Sequence, residues 1–286
     1  MGQGKRYQIV KVLNNNTLLV NDEQGNETIL LGKGIGFNRK IGEQLNEEQW
    51  IEKVFTLSTK TNQQAILDVL NEIDDRTLNA IHDMIRTIEE KSNLIFTEPF
   101  LLSFIDHVSF TMKRLKQGIK ISNPFLFEIQ TLYPDDYSLA LHGLQILEQS
   151  LELEIPQDEA GFIALHLHSL RTNTSISKMN QFSSLINRLI HVIEEELKIE
   201  IDRHSIDYAR LVSHIRFAIE RTEREQNLGE NHPLSTLLQR EYPVCYNISW
   251  KLVKIMQNSL KAEIPEAESS YLTLHIRRIL DHVQGN

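Results

Sequence analysis

Glu154-Ile155-Pro156 returns as Glu263-Ile264-Pro265, Tyr133-Pro134 as Tyr242-Pro243, and Leu165-His166 as Leu274-His275, each pair 109 positions apart. Pro124 with Pro233 and Tyr137 with Tyr246 keep that offset. Upstream, Asp106-His107-Val108-Ser109-Phe110 aligns with Ser213-His214-Ile215-Arg216-Phe217 at an offset of 107, which puts a two-residue length change near residues 115–122. A period of this size is a duplicated domain rather than a solenoid turn. In each copy Pro156 or Pro265 precedes an acidic first turn (Asp158, Glu159; Glu266, Glu268), a favourable helix start. The helix that follows carries an apolar stripe, Ile163, Leu167 and Leu170 in one copy and Leu272, Ile276 and Ile279 in the other.

Outward from the repeat, the helical period extends back through Ile66, Leu67, Leu70 and Ile73, then Ile81, Ile85 and Ile88. Before that the period is a strand's: Gln8–Val12, Thr17–Val20, Glu27–Leu31 and Val54–Leu57 are short apolar runs, the first three separated by turn formers at Asn14-Asn15-Asn16 and Asp22–Asn26. The expected fold is multidomain, a small all-β module over residues 1–60 followed by two homologous all-α helical bundles over 61–172 and 173–286.

Charge divides along the same line. Net charge is −9, yet residues 1–42 hold six basic and three acidic side chains, so the module is positive and the remainder strongly acidic. A protein so charged is not broadly drawn to polyanions or membranes, and any nucleic-acid site must be local. One cysteine, Cys245, gives no disulfide framework, and no apolar run approaches the ~18 residues that span a bilayer. A reducing cytoplasm is the expected setting, without membrane insertion.

His107 and His166 are 59 residues apart and His214 and His275 are 61 apart, on two different expected helices in each copy. Paired imidazoles serve as metal ligands, general bases or phosphoryl acceptors. Metal binding lacks its other ligands: there is no His-Glu-x-x-His and no cysteine pair, and His166-x-His168 points its rings to different helix faces. No metal or other cofactor is expected. His82, His142, His191, His204, His232 and His282 have no counterpart in the repeat, nor does His168, whose matching position is Arg277; they read as ordinary surface or core residues.

In the β module, Gly32-Lys33-Gly34-Ile35-Gly36-Phe37 lacks the strand-then-helix context of a phosphate loop. It reads as a turn-rich loop or as an RNA surface. In the second reading the small glycines permit close approach, Phe37 stacks on an unpaired base, asparagine amides reach base edges, and Lys33, Arg39 and Lys40 neutralise phosphates.

Taken together, Asp106-His107 with Asp158-Glu159-Ala160-Gly161-Phe162-Ile163-Ala164-Leu165-His166, and their second copy, resemble the duplicated PTS regulatory domains of BglG/SacY-type transcriptional antiterminators. Lys11-Val12-Leu13-Asn14-Asn15-Asn16 with the glycine loop is similar to that family's co-antiterminator RNA-binding domain, a four-stranded sheet acting as a homodimer. Gly-Ile-Gly-Phe, Asn-Pro-Phe-Leu and Tyr-Pro-Val-Cys-Tyr-Asn resemble the glucose-operon subgroup in particular. The resemblance implies phosphorylation of His107, His166, His214 and His275, and RNA contacts at Asn16, Gly32, Lys33 and Phe37. It implies a leader mRNA hairpin, the enzyme II of the cognate sugar and the phosphocarrier HPr as partners, and no enzymatic activity. Enzyme II would act on the first regulatory domain and HPr on the second. Ser213 in place of Asp106 predicts weaker hydrogen-bond support for His214. Two rivals remain: a DNA-binding activator, which needs a helix-turn-helix that the strand-like N-terminus lacks, and a histidine phosphohydrolase, which needs convergent carboxylates and a metal.

Overall fold

The computed structural model describes residues 6–45, 51, 53–56, 73–223 and 232–284. They form two compact units, Met1–Ser122 with Leu139–Glu159, and Asn123–Ser138 with Ala160–Asn286.

The first unit opens with an antiparallel sheet of β1 (Tyr7–Asn14), β2 (Thr17–Asn21), β3 (Glu27–Leu31), β4 (Gln44–Leu45) and β5 (Lys53–Thr56), in the order β4-β1-β2-β3-β5. Four strands coincide with the apolar runs of the sequence. The fifth, β4, has two residues, too few to show any period. Asn14 pairs with Thr17, so Asn15 and Asn16 form the β1–β2 turn. The β2–β3 turn is held by Asp22, whose carboxylate accepts the backbone N–H groups of Gln24 and Asn26 at 2.9 and 2.8 Å, as expected of an Asx turn. Tyr7, Ile9, Leu18, Val20, Leu30, Ile35 and Leu45 make the sheet's core.

Three helices complete this unit: α1 (Asp75–Ser92), α2 (Glu98–Lys116) and the greater part of α4 (Pro134–Leu151). Asp74 caps α1 by accepting the Thr77 N–H at 2.8 Å, and Leu78, Ile81, Met84, Ile85 and Ile88 form its buried stripe. Gly143 on α4 lies so close to α1 that a Cβ there would come 2.8 Å from Met84 Cε. Of the residues whose spacing marked the first helical segment, Ile66, Leu67 and Leu70 lie outside the described residues, as does the expected boundary at residue 60. Ile73 is buried.

The second unit contains α3 (Leu126–Leu132), the start of α4, nearly all of α5 (Gln157–Thr172), α6 (Ile176–Leu197), α7 (Ile206–Glu223), α8 (His232–Glu241), α9 (Pro243–Leu260) and α10 (Ala267–Gln284). α10 packs on α9 and α7, and α7 on α3. The buried carboxylate of Glu128 on α3 accepts hydrogen bonds from the Tyr208 hydroxyl at 3.0 Å and the Asn187 amide at 3.2 Å. The duplication is visible helix by helix: α4 and α9 both run for 18 residues and begin at the matched prolines Pro134 and Pro243.

The glycine loop after β3 owes its glycines to its own folding. Gly34 has φ +73°, and a Cβ on Gly36 would sit 2.2 Å from the Asn14 carbonyl oxygen, while the Gly36 N–H donates to the Asn15 carbonyl at 2.9 Å. The clash is with backbone and cannot be relieved by a rotamer change. Gly36→Ala is therefore expected to destabilise the β module by about 1–3 kcal/mol. In a thermal melt of the full chain this reads as an earlier transition in the β signal with the helical transition unmoved.

Candidate functional site: a glycine loop and two histidine–carboxylate pairs

The β1–β2 turn and the glycine loop are joined through Asn16. Its side-chain Oδ1 accepts the Gly34 N–H at 2.6 Å, and its carbonyl accepts the Gly32 N–H at 3.1 Å. This raises Phe37 into solvent with 63% of its surface exposed, beside exposed Lys33 and Lys40. The ring is neither core nor covered. Arg39 differs from the expectation of a free phosphate ligand, because its guanidinium is bound to Glu43 at 2.6 Å. The turn also meets α1: the Asn15 amide donates to Asp75 at 3.0 Å and the Asn16 amide donates to Asn79.

In the regulatory copies each first histidine is held by a buried glutamate from another helix. His107 on α2 donates through Nε2 to Glu159 on α5 at 2.7 Å, and Glu159 is 1% exposed. His214 on α7 donates through Nε2 to Glu268 on α10 at 3.1 Å. Glu268 is fully buried, and its other oxygen accepts Nε and Nη2 of Arg221 at 3.0 and 2.7 Å. Burial alone would raise the Glu268 carboxyl, but the hydrogen bonds from His214 and Arg221 outweigh it and hold the group below its usual range. The Oε2 of Glu159 is buried with no such partner.

The carboxylate bound to each first histidine comes from Glu159 and Glu268, which occupy matching positions in the repeat, while Asp106 is exposed; the His214 bond is the longer of the two. That match was available in the sequence, where both glutamates passed as generic helix starts.

His275, on α10, lies beside His214 with ring centroids 4.9 Å apart and planes tilted by 34°, and Tyr271 lies 5.6 Å from the His214 ring. Burial, then the neighbouring charges of His214, Arg278 and Arg210, push the His275 imidazole down from 6.5 to about 4, with Asp207 opposing. His166 lies in the buried face of α5. A third histidine–carboxylate pair, unforeseen in the sequence, joins His168 to Asp136 at 2.8 Å. Among the described residues no group of three or more His, Cys, Asp or Glu side chains is placed to hold a metal ion, and no helix is long and apolar enough to cross a membrane.

The sequence matches the CAT RNA binding domain over residues 7–64 and the PRD domain over residues 82–170 and 187–279. The chain belongs to the PRD-containing transcriptional antiterminators. It is 37% identical over 281 residues to the GlcA/glcB genes antiterminator of Staphylococcus carnosus (strain TM300), covering 98% of each chain. It is 39% identical over 277 residues to the PtsGHI operon antiterminator of Bacillus subtilis (strain 168), covering 97% of this chain and 98% of that one. A crystal structure of GlcT CAT-PRDI matches 59% of this chain and 99% of its own, at 34% identity and a TM-score of 0.53. This antiterminator is thus an RNA-binding regulator under PTS control and not an enzyme.

Two pH windows follow from the second histidine site. The unfolded His275 takes up its proton near 6.5 and the folded one near 4, so between these values the unfolded state binds more protons and stability falls as pH falls. The depressed Glu268 carboxyl stabilises above its usual 4.5, and that contribution is lost at lower pH. Urea titrations from pH 7 to pH 4 are expected to show a progressive loss of stability that His275→Gln flattens above about pH 4.5.

Proposed function

We propose that this antiterminator binds a leader-RNA hairpin as a homodimer through its β module, and that phosphorylation of His107, His166, His214 and His275 sets whether that dimer forms. The observation that carries this reading is the repetition of one unit, a partly exposed imidazole held through Nε2 by a buried glutamate, at the same place in both copies. A carboxylate on one ring nitrogen fixes the tautomer and leaves the other nitrogen as the nucleophile. Three functional modules follow, RNA-binding to residue 60, a first regulatory domain to 172 and a second beyond it. The glucose-operon names of the relatives favour a glucose-type operon, with the sugar's enzyme II as donor to the first regulatory domain and HPr to the second, in the cytoplasm.

Phe37, Lys33 and Lys40 supply a stacking ring and two cations on one exposed loop. Gly32 and Gly34 keep its backbone close to Asn16, and Arg39 needs release from Glu43 before it meets a phosphate. Asp75 and Asn79 hold the amides of Asn15 and Asn16, so RNA that reads these amides displaces α1.

Two measurements test the reading. Phe37→Ala is expected to weaken binding of the leader hairpin by about 1–3 kcal/mol in a salt-controlled gel shift, with Asn79→Ala strengthening it. Normal binding by a folded Phe37→Ala protein removes the ring from the interface. A phosphohistidine adds close to two negative charges, doubled across a two-fold axis. His107→Ala is accordingly expected to give antitermination without sugar in a reporter strain, and enzyme II phosphorylation to shift wild type toward monomer in analytical ultracentrifugation. A folded His107→Ala protein inactive with and without sugar reverses the sign assigned to the first domain.

A further inference from the structure

His168 has no place in the repeat, yet it stands in the most complete polar constellation of the first copy. Its Nδ1 donates to Asp136 Oδ2 at 2.8 Å, and the other oxygen of this buried carboxylate accepts Nε and Nη2 of Arg171 at 3.1 and 2.8 Å. This is the plan of His214, Glu268 and Arg221 over again: an imidazole and a guanidinium sharing one buried carboxylate. None of the three residues recurs in the second copy, where Cys245, Arg277 and Leu280 occupy the matching positions. The triad is therefore not a scaffold inherited through the duplication.

Its chemistry is that of an acceptor. Asp136 is held below the usual carboxylate range because the hydrogen bonds from His168 and Arg171 outweigh its burial, so it stays charged and keeps the ring proton on Nδ1. Nε2 then carries the lone pair. The ring lies against Tyr133 with centroids 4.0 Å apart and planes tilted by 31°. The His168 side chain is 22% exposed, against 23% for His107 and 16% for His214, so it is as reachable as either. Beside it lies a cavity of about 280 Å³ lined also by Lys178, Arg216 and Glu220, the last with its carboxylate 3.6 Å from Arg216 Nε. That is several times the ~30 Å³ share of one water, room for a phosphoryl group, with Lys178 and Arg216 outnumbering the one carboxylate on its wall.

We propose that His168 is a fifth phosphoryl acceptor, filled by a phosphohistidine-bearing carrier protein. The inference rests on the PTS-dependent reading above and adds a site to it. The Nε2 lone pair forms a new N–P bond as the donor's N–P bond breaks and returns its electron pair to the donor ring. Each ring keeps its own N–H, and that of His168 remains on Nδ1 against Asp136, so no further reactant is needed.

The test is phosphotransfer from phosphorylated HPr, and separately from phosphorylated enzyme II, to the full chain, read by fragmentation that preserves P–N bonds and separates residue 166 from 168. The expected result is phosphate on His168 in wild type, persistence of one phosphate per chain in His107→Gln/His166→Gln/His214→Gln/His275→Gln that maps to 168, and its loss in His168→Gln. Asp136→Asn, with unchanged circular dichroism, should label at 168 about tenfold or more slowly, since the carboxylate that sets the tautomer is gone. Labelling confined to the other four histidines overturns the inference, makes the triad an ion-pair staple and leaves the proposed function standing. Labelling of 168 at the wild-type rate in a folded Asp136→Asn protein also overturns it. No labelling at any histidine removes both. Should Asp136→Asn fail to fold, the wild-type fragment map decides alone.

Discussion

A carboxylate removed from water costs several kcal/mol unless charged or donating partners replace the solvent. Glu268 has no exposure at all, and His214 on one oxygen and Arg221 on the other supply what water would. Much of the second histidine site follows from that requirement. The pair ties the first turn of α10 to α7, fixes the His214 ring through Nε2, and leaves Nδ1 as its other nitrogen. Seven residues on, two helical turns, the same face of α10 presents His275, which is how the two imidazoles come within 4.9 Å. Glu159 and His166 keep the same spacing of seven on α5.

The glycine loop is governed by a different constraint, the need to satisfy backbone groups in a tight turn. Gly32 and Gly34 find their acceptors on Asn16, and Gly36 finds its own on Asn15. These short-range bonds consume the polar edge of the loop and leave its apolar residue, Phe37, outside. An exposed phenyl ring beside lysines has little folding value, and its exposure is what favours the proposed RNA-binding role over a purely structural turn.

The parts of this architecture that were legible in the sequence are those with a period or a register. Strands β1, β2, β3 and β5 are short apolar runs, α1 repeats at three and four, and the duplication aligns His107 with His214 and His166 with His275. β4 escaped because two residues make no run. The glutamates escaped for another reason: Glu159 and Glu268 align in the repeat, but among many acidic residues at helix starts nothing local separates a buried carboxylate from a solvated one. The His168 triad was least legible, since Asp136 and His168 are 32 residues apart and come together only when α4 and α5 are in place.

The matched glutamates are not equivalent in charge. Glu268 divides its charge between an imidazole and a guanidinium, whereas Glu159 has the imidazole of His107 on one oxygen and no partner on the other. Arg114, the residue aligned with Arg221, instead donates to the Lys120 carbonyl at 3.3 Å, inside the segment where the two copies differ in length. In the proposed phosphoryl transfer, a ring already protonated at its other nitrogen becomes positive, and the carboxylate beside it is the group that stabilises the charge. At an effective dielectric of ~20, one unit charge about 4 Å away is worth roughly 4 kcal/mol, and every 1.4 kcal/mol is about a factor of ten in an equilibrium. On that reading, moving one guanidinium on or off the carboxylate is enough to separate the phosphoryl affinities of two such sites by orders of magnitude. A duplicated domain that began with one response has in that single contact a physical route to two.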